Sequence, residues 1–333
     1  MSEPTRAPTV LTVLLNWRTA EMTLRAAAAA EVAMQGIEGA ITIVDNDSGD
    51  GSFEAMSEAL RGHPRIRVVQ AGRNGGFGAG NNVAIRQGLP GGQRPDYFYI
   101  LNSDAFPAPD AIRHLVDYLH AHPKAGMAGS YIVGEDGTPH PTCFRFPSAA
   151  SEFEAAARTG PISRLLDKRK VSLGVRTESG RVDWVAGASL LIRETLVQEV
   201  GVFDENFFLY YEETDLCRRA ARQGWEVHFV PTSRVEHIGS VSTGMKDWTR
   251  VPGYWFDSRW RYFRKAGGTK QAVLATVAHV AGLMITRLRT LASLRPINGP
   301  QRFLRDLTGH AVRQIARRRA ADPLWDGTPP VGP

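Results

Sequence analysis

The sequence predicts an α/β protein: a Rossmann-like, mostly parallel sheet flanked by helices, followed by a basic helical extension. Three observations predict it. Short apolar runs alternate with helical segments from the N-terminus to about Val133. Clusters of polar residues follow directly on several of those runs. After Trp255 the composition turns basic. In order, Val10–Leu15 is a continuous apolar run, as in a strand buried on both faces. Glu21–Met34 is Ala-rich and helical, with Thr19 placed to cap it. Strands are expected at Ile41–Val44, Ile66–Val69, Tyr97–Leu101 and Met127–Val133, with helices at Phe53–Leu60, near Val83–Gln87 and at Pro109–His120. This β-α-β-α order implies a parallel, doubly wound sheet with right-handed crossovers. Such sheets take ligands beyond the carboxyl ends of their strands.

Residues 134–181 are interrupted by Pro139, Pro141, Pro147 and Pro161 and read as loop with short helices. Val182–Ile192 reads as strand and Val227–Val230 as a short one. Between them, Glu212–Arg222 is a helix with acids at its start and bases at its end, as the helix dipole favours. Of 333 residues 43% are hydrophobic and 22% charged, enough for one large domain or a domain with an appendage. No charged-then-apolar leader follows Met1, and Cys143 and Cys217 form neither a metal nor a disulfide pattern. Both features fit a reducing cytoplasm. The net charge of +6 is uneven. Arg259–Pro333 holds 14 Lys+Arg against 3 Asp+Glu, so the body is mildly acidic and the tail strongly basic. Within the tail, Ala272–Ile285 is apolar but short for a bilayer span. Arg287, Arg289, Arg295, Arg302, Arg305, Arg313 and Arg317–Arg319 flank and follow it.

The chemistry concentrates at the strand ends. Asp45, Asn46, Asp47 and Ser48 follow the second strand. Asp45 could accept from the ring N3–H of uracil or thymine, or close an Asx-turn before the next helix. Arg73-Asn74-Gly75-Gly76-Phe77-Gly78-Ala79-Gly80-Asn81-Asn82 follows the third. Its glycines allow close backbone approach, so N–H groups can face phosphate at the following helix N-terminus. It matches neither the dinucleotide G-x-G-x-x-G pattern nor a P-loop. Asn102-Ser103-Asp104 ends the fourth strand. Side-chain oxygens at i and i+2 can share a hard cation that also binds diphosphate and water, or can simply open the turn before Pro107. Glu212, Glu213 and Asp215 crowd a helix N-terminus directly after the aromatic run Phe207–Tyr211. Capping accounts for one or two of them, and a general base for a sugar hydroxyl is the natural use of another. Neighbouring carboxylates raise each other's pKa. His237, within Glu236-His237-Ile238-Gly239-Ser240, could ligate a cation, touch diphosphate or be structural.

Taken together these elements resemble the family 2 glycosyltransferases, in particular their rhamnosyltransferase-like branch. The matching stretches are Val13-Leu14-Leu15-Asn16-Trp17, Val44-Asp45-Asn46-Asp47-Ser48, the Asn74–Asn82 loop and Leu101-Asn102-Ser103-Asp104. They continue with Trp184…Gly187-Ala188, Gly201-Val202-Phe203-Asp204-Glu205, Glu212-Glu213-Thr214-Asp215-Leu216-Cys217 and His237-Ile238-Gly239-Ser240, so the resemblance runs from about Val10 to about Arg264. It implies a GT-A catalytic domain over residues 1–264; composition makes residues 265–333 a basic amphipathic tail that contacts a membrane peripherally or packs on the domain. It implies that Asp45 meets the pyrimidine, and that Asn46, Asn74, Gly75, Gly76, Phe77, Asn81 and Ser103 bind the nucleotide and donor. Asp104, Asn102 and His237 would hold Mg²⁺ or Mn²⁺, with Trp184 and Gly187 on the acceptor side. Asn102 stands where many relatives have Asp, and Ser103 where many have Pro, so one carboxylate would carry the ion. Glu213 falls at the position of the family's Asp base, with Asp215 in reserve.

The resemblance further implies an inverting, metal-dependent transfer from a nucleotide sugar, dTDP-L-rhamnose first and UDP-sugars next. The acceptor would be a saccharide or lipid-linked glycan of the cell surface, with the enzyme in the cytoplasm or at the inner face of the membrane. A sugar-phosphate nucleotidyltransferase is the competing enzyme class, but the first strand ends in Asn16-Trp17 without a triphosphate-binding Gly-rich segment. A non-catalytic membrane-surface module is the other alternative. Nucleic acid is not an expected partner, because the basic stretch lacks interleaved aromatics.

Overall fold

A computed structural model of the chain describes residues 7–239, 248–292 and 300–317. Ser240 and the tail residues Arg295, Arg318 and Arg319 lie outside the described residues. The order begins β1 (Thr9–Asn16), α1 (Ala20–Ala33), β2 (Glu38–Asp45), α2 (Ser52–Ala59), β3 (Ile66–Gln70) and α3 (Phe77–Gln87). It continues with β4 (Tyr97–Asn102), β5 (Ala105–Pro107), α4 (Ala111–Ala121) and β6 (Ala125–Val133). Helix α3 starts at Phe77, ahead of the expected Val83, because the Gly-rich stretch itself winds into the first turn. Thr19 stands at the α1 N-cap, yet its hydroxyl turns to Asn16 Oδ1 and Ser103 Oγ and does not cap the helix.

Residues 134–181 contain β7 (Cys143–Phe144), α5 (Ala149–Ala157), α6 (Gly160–Leu165) and a 3₁₀ turn at Asp167–Arg169. Ser148 caps α5 through a reciprocal box with Ser151. The run expected as one strand at Val182–Ile192 is three: β8 (Gly180–Val182), β9 (Trp184–Val185) and β10 (Ser189–Arg193). Then come α7 (Glu194–Val200), α8 (Glu212–Arg222), β11 (Glu226–His237), α9 (Gly253–Ala292) and α10 (Phe303–Ala316). Strand β11 outruns the expected Val227–Val230. It passes Pro231, which has no N–H to give, through a register shift between Val230 and Arg234.

The main sheet runs β3-β2-β1-β4-β10-β6-β11-β5, with β8 beside β11. Strands β3, β2, β1 and β4 are parallel neighbours, as their helical crossovers dictate. Strand β10 enters antiparallel between β4 and β6, and β5 pairs antiparallel with the end of β11. The sheet is therefore mostly parallel with antiparallel insertions. Both faces are covered. Val10 and Leu14 of β1 pack with α1 and α4, while Leu11 and Val13 face α3, α7 and α8. That two-sided burial is why β1 reads as unbroken apolar sequence.

The register sets the site. Asn16 lies beside Asp45 and Leu15 beside Asn102, so the carboxyl ends of three strands align. His237 pairs with Ala105, which draws the end of β11 up to Asp104.

A third apolar cluster joins Phe207 to Trp260, Tyr262, Phe263, Ala272 and Ala275 of α9 and to Ala311 of α10. Helix α9 breaks at Gly267 and Gly268, where Gly268 has φ +76°. The expected boundary after residue 264 falls just before this break. Beyond it the helix packs along α5. Thr286 Oγ1 donates to the carbonyls of Ala156 and Ala157, and His279 pairs with Glu152 at 2.7 Å. By length and composition α9 is long and apolar enough to cross a membrane.

Candidate active site

Asp45 is fully buried, and both its oxygens are engaged, by its own turn and by Asn16 of the neighbouring strand β1. Oδ1 accepts from Asn16 Nδ2 (2.7 Å) and Ser48 Oγ (2.6 Å), and Oδ2 from the Ser48 amide (3.1 Å). The Asx-turn accounts for the two Ser48 contacts, and the end of β1 supplies the third. Asn46 reaches across to the Gly-rich loop. Its Nδ2 donates to Asn74 Oδ1 (3.0 Å) and to the Gly76 carbonyl, while its buried Oδ1 meets no hydrogen-bond partner among the described residues.

Asn74 Oδ1 also accepts from the Gly76 amide, closing a turn. Gly76 has φ +87°, and a Cβ there would stand 1.8 Å from the Phe208 carbonyl oxygen. Only glycine lets the loop lie against Phe208, whose carbonyl accepts from the Phe77 amide (2.9 Å). Asn81 Nδ2 caps back onto the Phe77 carbonyl, and its Oδ1 is a second buried acceptor without a partner among the described residues. Asn82, by contrast, is used up in structure, exchanging hydrogen bonds with the Phe203 backbone.

At the end of β4, Asp104 Oδ1 lies 3.1 Å and Asn102 Nδ2 3.2 Å from His237 Nε2. The Gly239 amide donates to Asp104 Oδ2 at 3.1 Å. Ser103 stands next to them, its Oγ 3.4 Å from Thr19 Oγ1. One ring nitrogen can donate to Asp104 or accept from Asn102, but not both. A carboxylate, an imidazole nitrogen and a side-chain amide, whose oxygen and nitrogen exchange by a flip, thus converge on one point. That set fits a small divalent cation with open positions left for a ligand.

Glu213 sits in the first turn of α8. Tyr210 and Tyr211, directly before it, have φ +69° and +71°. Two successive bulky residues in the left-handed region are costly and are held by the surrounding packing. A Cβ on Gly187 would lie 3.7 Å from Glu213 Cβ and Cγ and from Phe77 Cε1, so Gly187, the Gly-rich loop and the acid meet here. The neighbouring Ala188 carbonyl accepts from the Asn102 amide (3.0 Å), which links this corner to the Asp104 cluster. Trp184 stacks on Phe144 at 4.1 Å and donates to the Arg145 carbonyl.

The three acids of α8 part company. Burial pushes the Glu213 carboxyl above the ordinary range. Burial, then the charge of Glu213, pushes Glu212 well above it. Oε2 of each is enclosed with no hydrogen-bond partner among the described residues. Asp215 instead pairs with Arg219 (2.9 Å) and Lys265 (2.8 Å), and Lys265 also holds Asp204 (2.7 Å). Burial alone would raise Asp204, but Lys265 and Arg261 outweigh it and hold Asp204 below the ordinary range. Sequence reading missed Lys265 and Arg219 as the residues that tie down this helix start. Arg219 at four residues from Asp215 carries a helical-spacing signal; Lys265 carries none.

Comparison with known proteins agrees with the arrangement. The family described as "Glycosyltransferase like family 2" matches residues 18–251. An N-acetylglucosaminyl-diphospho-decaprenol L-rhamnosyltransferase from Mycobacterium tuberculosis is 31% identical over 212 residues, covering 61% of this chain and 68% of that one. The rhamnosyltransferase WbbL of Escherichia coli is 28% identical over 165 residues, 49% of this chain and 60% of WbbL. Among solved structures, the mannosyltransferase PcManGT of Pyrobaculum calidifontis, in complex with GDP-Man and Mn²⁺, superposes with a TM-score of 0.56. It is 15% identical and covers 96% of this chain and 90% of that one. S. aureus TarS 1-349 gives a TM-score of 0.53 at 11% identity, covering 92% and 80%. These likenesses show the fold, and the family match spans more than half of the sequence: the chain belongs to glycosyltransferase family 2, in its rhamnosyltransferase-like branch.

Proposed function

We propose that this glycosyltransferase moves a hexose, L-rhamnose from dTDP-L-rhamnose first and a UDP-sugar next, onto a saccharide or lipid-linked acceptor, with inversion at the anomeric carbon. The observation that carries the reading is the division among the α8 acids. Glu213 Oε2 is enclosed without a hydrogen-bond partner among the described residues and burial raises the carboxyl's pKa, beside Gly187 and Phe77, while Asp215 is neutralised by two cations. In the proposed step an acceptor hydroxyl oxygen attacks the anomeric carbon. Its proton passes to a Glu213 oxygen, and the bond from the anomeric carbon to the nucleoside diphosphate breaks. A base with a pKa lifted toward neutrality is better matched to this transfer than an ordinary carboxylate.

Asp104, His237 and Asn102 would hold Mg²⁺ or Mn²⁺, whose charge offsets that developing on the departing diphosphate. The loop Asn74–Phe77, with the open acceptors of Asn46 and Asn81, would orient the donor. Asp45 supports this corner through Asn16 and Ser48, and Asn16 Nδ2 also reaches Ser48 Oγ. The partly exposed corner of Trp184 and Gly187 would receive the acceptor. Holding donor and acceptor in line supplies much of the remaining acceleration.

A thermal-shift screen of nucleotide sugars with and without Mn²⁺ tests the reading. One donor class should stabilise the protein only when metal is present, and Asp104→Asn should abolish that dependence. Metal-independent stabilisation, or transfer that persists in chelator, would refute the role of Asp104.

A further inference from the structure

We propose that the outward face of the second half of α9 docks on an anionic phospholipid surface. Leu274, Val277, Met284, Leu288 and Leu291 are all exposed, from 46% for Met284 to 67% for Leu291. At 100° per residue they fall within about 100° of arc, a single stripe along the helix. The opposite face is committed to the protein. Ala272, Ala275, Thr276 and Gly282 are buried there, and a Cβ on Gly282 would stand 2.5 Å from the Phe153 carbonyl oxygen. His279 and Thr286 bind α5, and Arg289 donates to the Arg158 carbonyl (2.8 Å). The helix therefore has no means of rolling its stripe inward.

Charge selects the occupant. Thr269–Ala292 contains Lys270, Arg287 and Arg289 and no Asp or Glu. Helix α10 adds exposed Val312 and Ile315 among exposed Arg305, Arg313 and Arg317. Apolar side chains bordered by arginine and lysine match the interface of an anionic bilayer, where the stripe enters the acyl boundary and the bases meet lipid phosphate. A second copy of this chain would bring the same bases against each other, which disfavours self-association through this face. The polar contacts to α5 and the buried Arg259–Glu152 pair beside them (2.8 Å) keep the helix lying along the domain and not threaded through the bilayer.

The test is flotation of the full chain with vesicles, a measurement that needs no sugar transfer and so stands apart from the proposed activity. Wild type should float with phosphatidylcholine vesicles containing about 30% phosphatidylglycerol, release as salt rises, and ignore pure phosphatidylcholine. Combined Leu274→Gln, Met284→Gln, Leu288→Gln and Leu291→Gln should weaken partitioning by about tenfold or more. Lys270→Gln and Arg287→Gln should each weaken it about fivefold, and these decide the matter if the apolar set fails to fold. The proposal is overturned if wild type ignores anionic vesicles, or if both variant sets float like wild type. It is equally overturned if bound protein resists alkaline extraction, which marks a spanning helix. Conversion of a dimer to a monomer by the glutamine set, with flotation unchanged, would also overturn it.

Discussion

Removing one carboxylate at a time from the start of α8 should separate catalysis from stability. In Glu213→Gln the side chain keeps its shape and loses its proton affinity. If Glu213 takes the acceptor proton, kcat should fall by about 10²- to 10⁴-fold, the usual range for a positioned base. Stability should hold or rise. Burial lifts the Glu213 pKa, so the ionised form costs free energy in the folded state, and glutamine removes that cost near neutrality. Asp215→Asn should do the reverse. It breaks a buried pair with Arg219 and Lys265, a change that generally costs about 3–5 kcal/mol. The low end applies, because Arg219 still reaches the carbonyls of Val200 and Val202, and Lys265 keeps Asp204. About 3 kcal/mol in a chain of 333 residues lowers Tm by about 4 °C. Transfer rates measured well below Tm, with calorimetric melts of the same samples, give both numbers. The reasoning fails if Glu213→Gln stays within tenfold of wild type, or if Asp215→Asn melts normally while losing turnover.

Two further outcomes follow from the same geometry. Glu212 has its pKa raised by burial and by Glu213, so its protonated form stabilises the fold below the ordinary carboxylate pKa of about 4.3, and that contribution is lost as pH rises through the folded value. Wild type should therefore lose Tm from mildly acid to neutral pH while Glu212→Gln melts higher at neutral pH with a flatter profile; parallel melting curves would show that Glu212 is not the titrating group. Gly76→Ala places a Cβ 1.8 Å from the Phe208 carbonyl oxygen at φ +87°. With ψ −174° this is backbone essentially reserved for glycine and alone costs about 1–3 kcal/mol, and relief of the clash pulls Phe208 off the Phe77 amide, so donor KM should rise about tenfold. Gly187→Ala meets Glu213 only at ordinary contact distance and should leave Tm unchanged; an unaltered donor KM in Gly76→Ala would refute the loop's role.

Much of the sheet is written locally. β1, β2 and β4 are apolar runs because both their faces are covered, and the helices between them force parallel order. What is not local is which strand lies next to which. Ser189–Arg193 carries no mark of its antiparallel seat between β4 and β6, since that seat depends on β6 and β4 both offering a free edge. Pro231 stops a sequence reading of β11 at Val230, yet a register shift lets the strand continue to His237. That continuation carries His237 to Asp104, so a break expected from one missing N–H would have removed a side chain from the site.

The acids of the site show a different limit. Position alone picks out Asp104 and the Glu212–Asp215 cluster, because strand ends and helix starts are where parallel sheets expose chemistry. Position does not say which acid is free. That is decided by cations arriving from elsewhere: Lys265 reaches Asp215 from 50 residues away and Asp204 from 61. With Asp215 and Asp204 neutralised, the uncompensated charge near Phe77 and Gly187 belongs to the Glu212–Glu213 pair. Of the two, Glu213 is the partly exposed one and Glu212 is buried beneath it. Two adjacent carboxylates resist ionising together, and burial raises both, Glu212 further through the charge of Glu213. The first half of α9, which supplies Lys265, is in this sense part of what would make Glu213 the base of the proposed transfer.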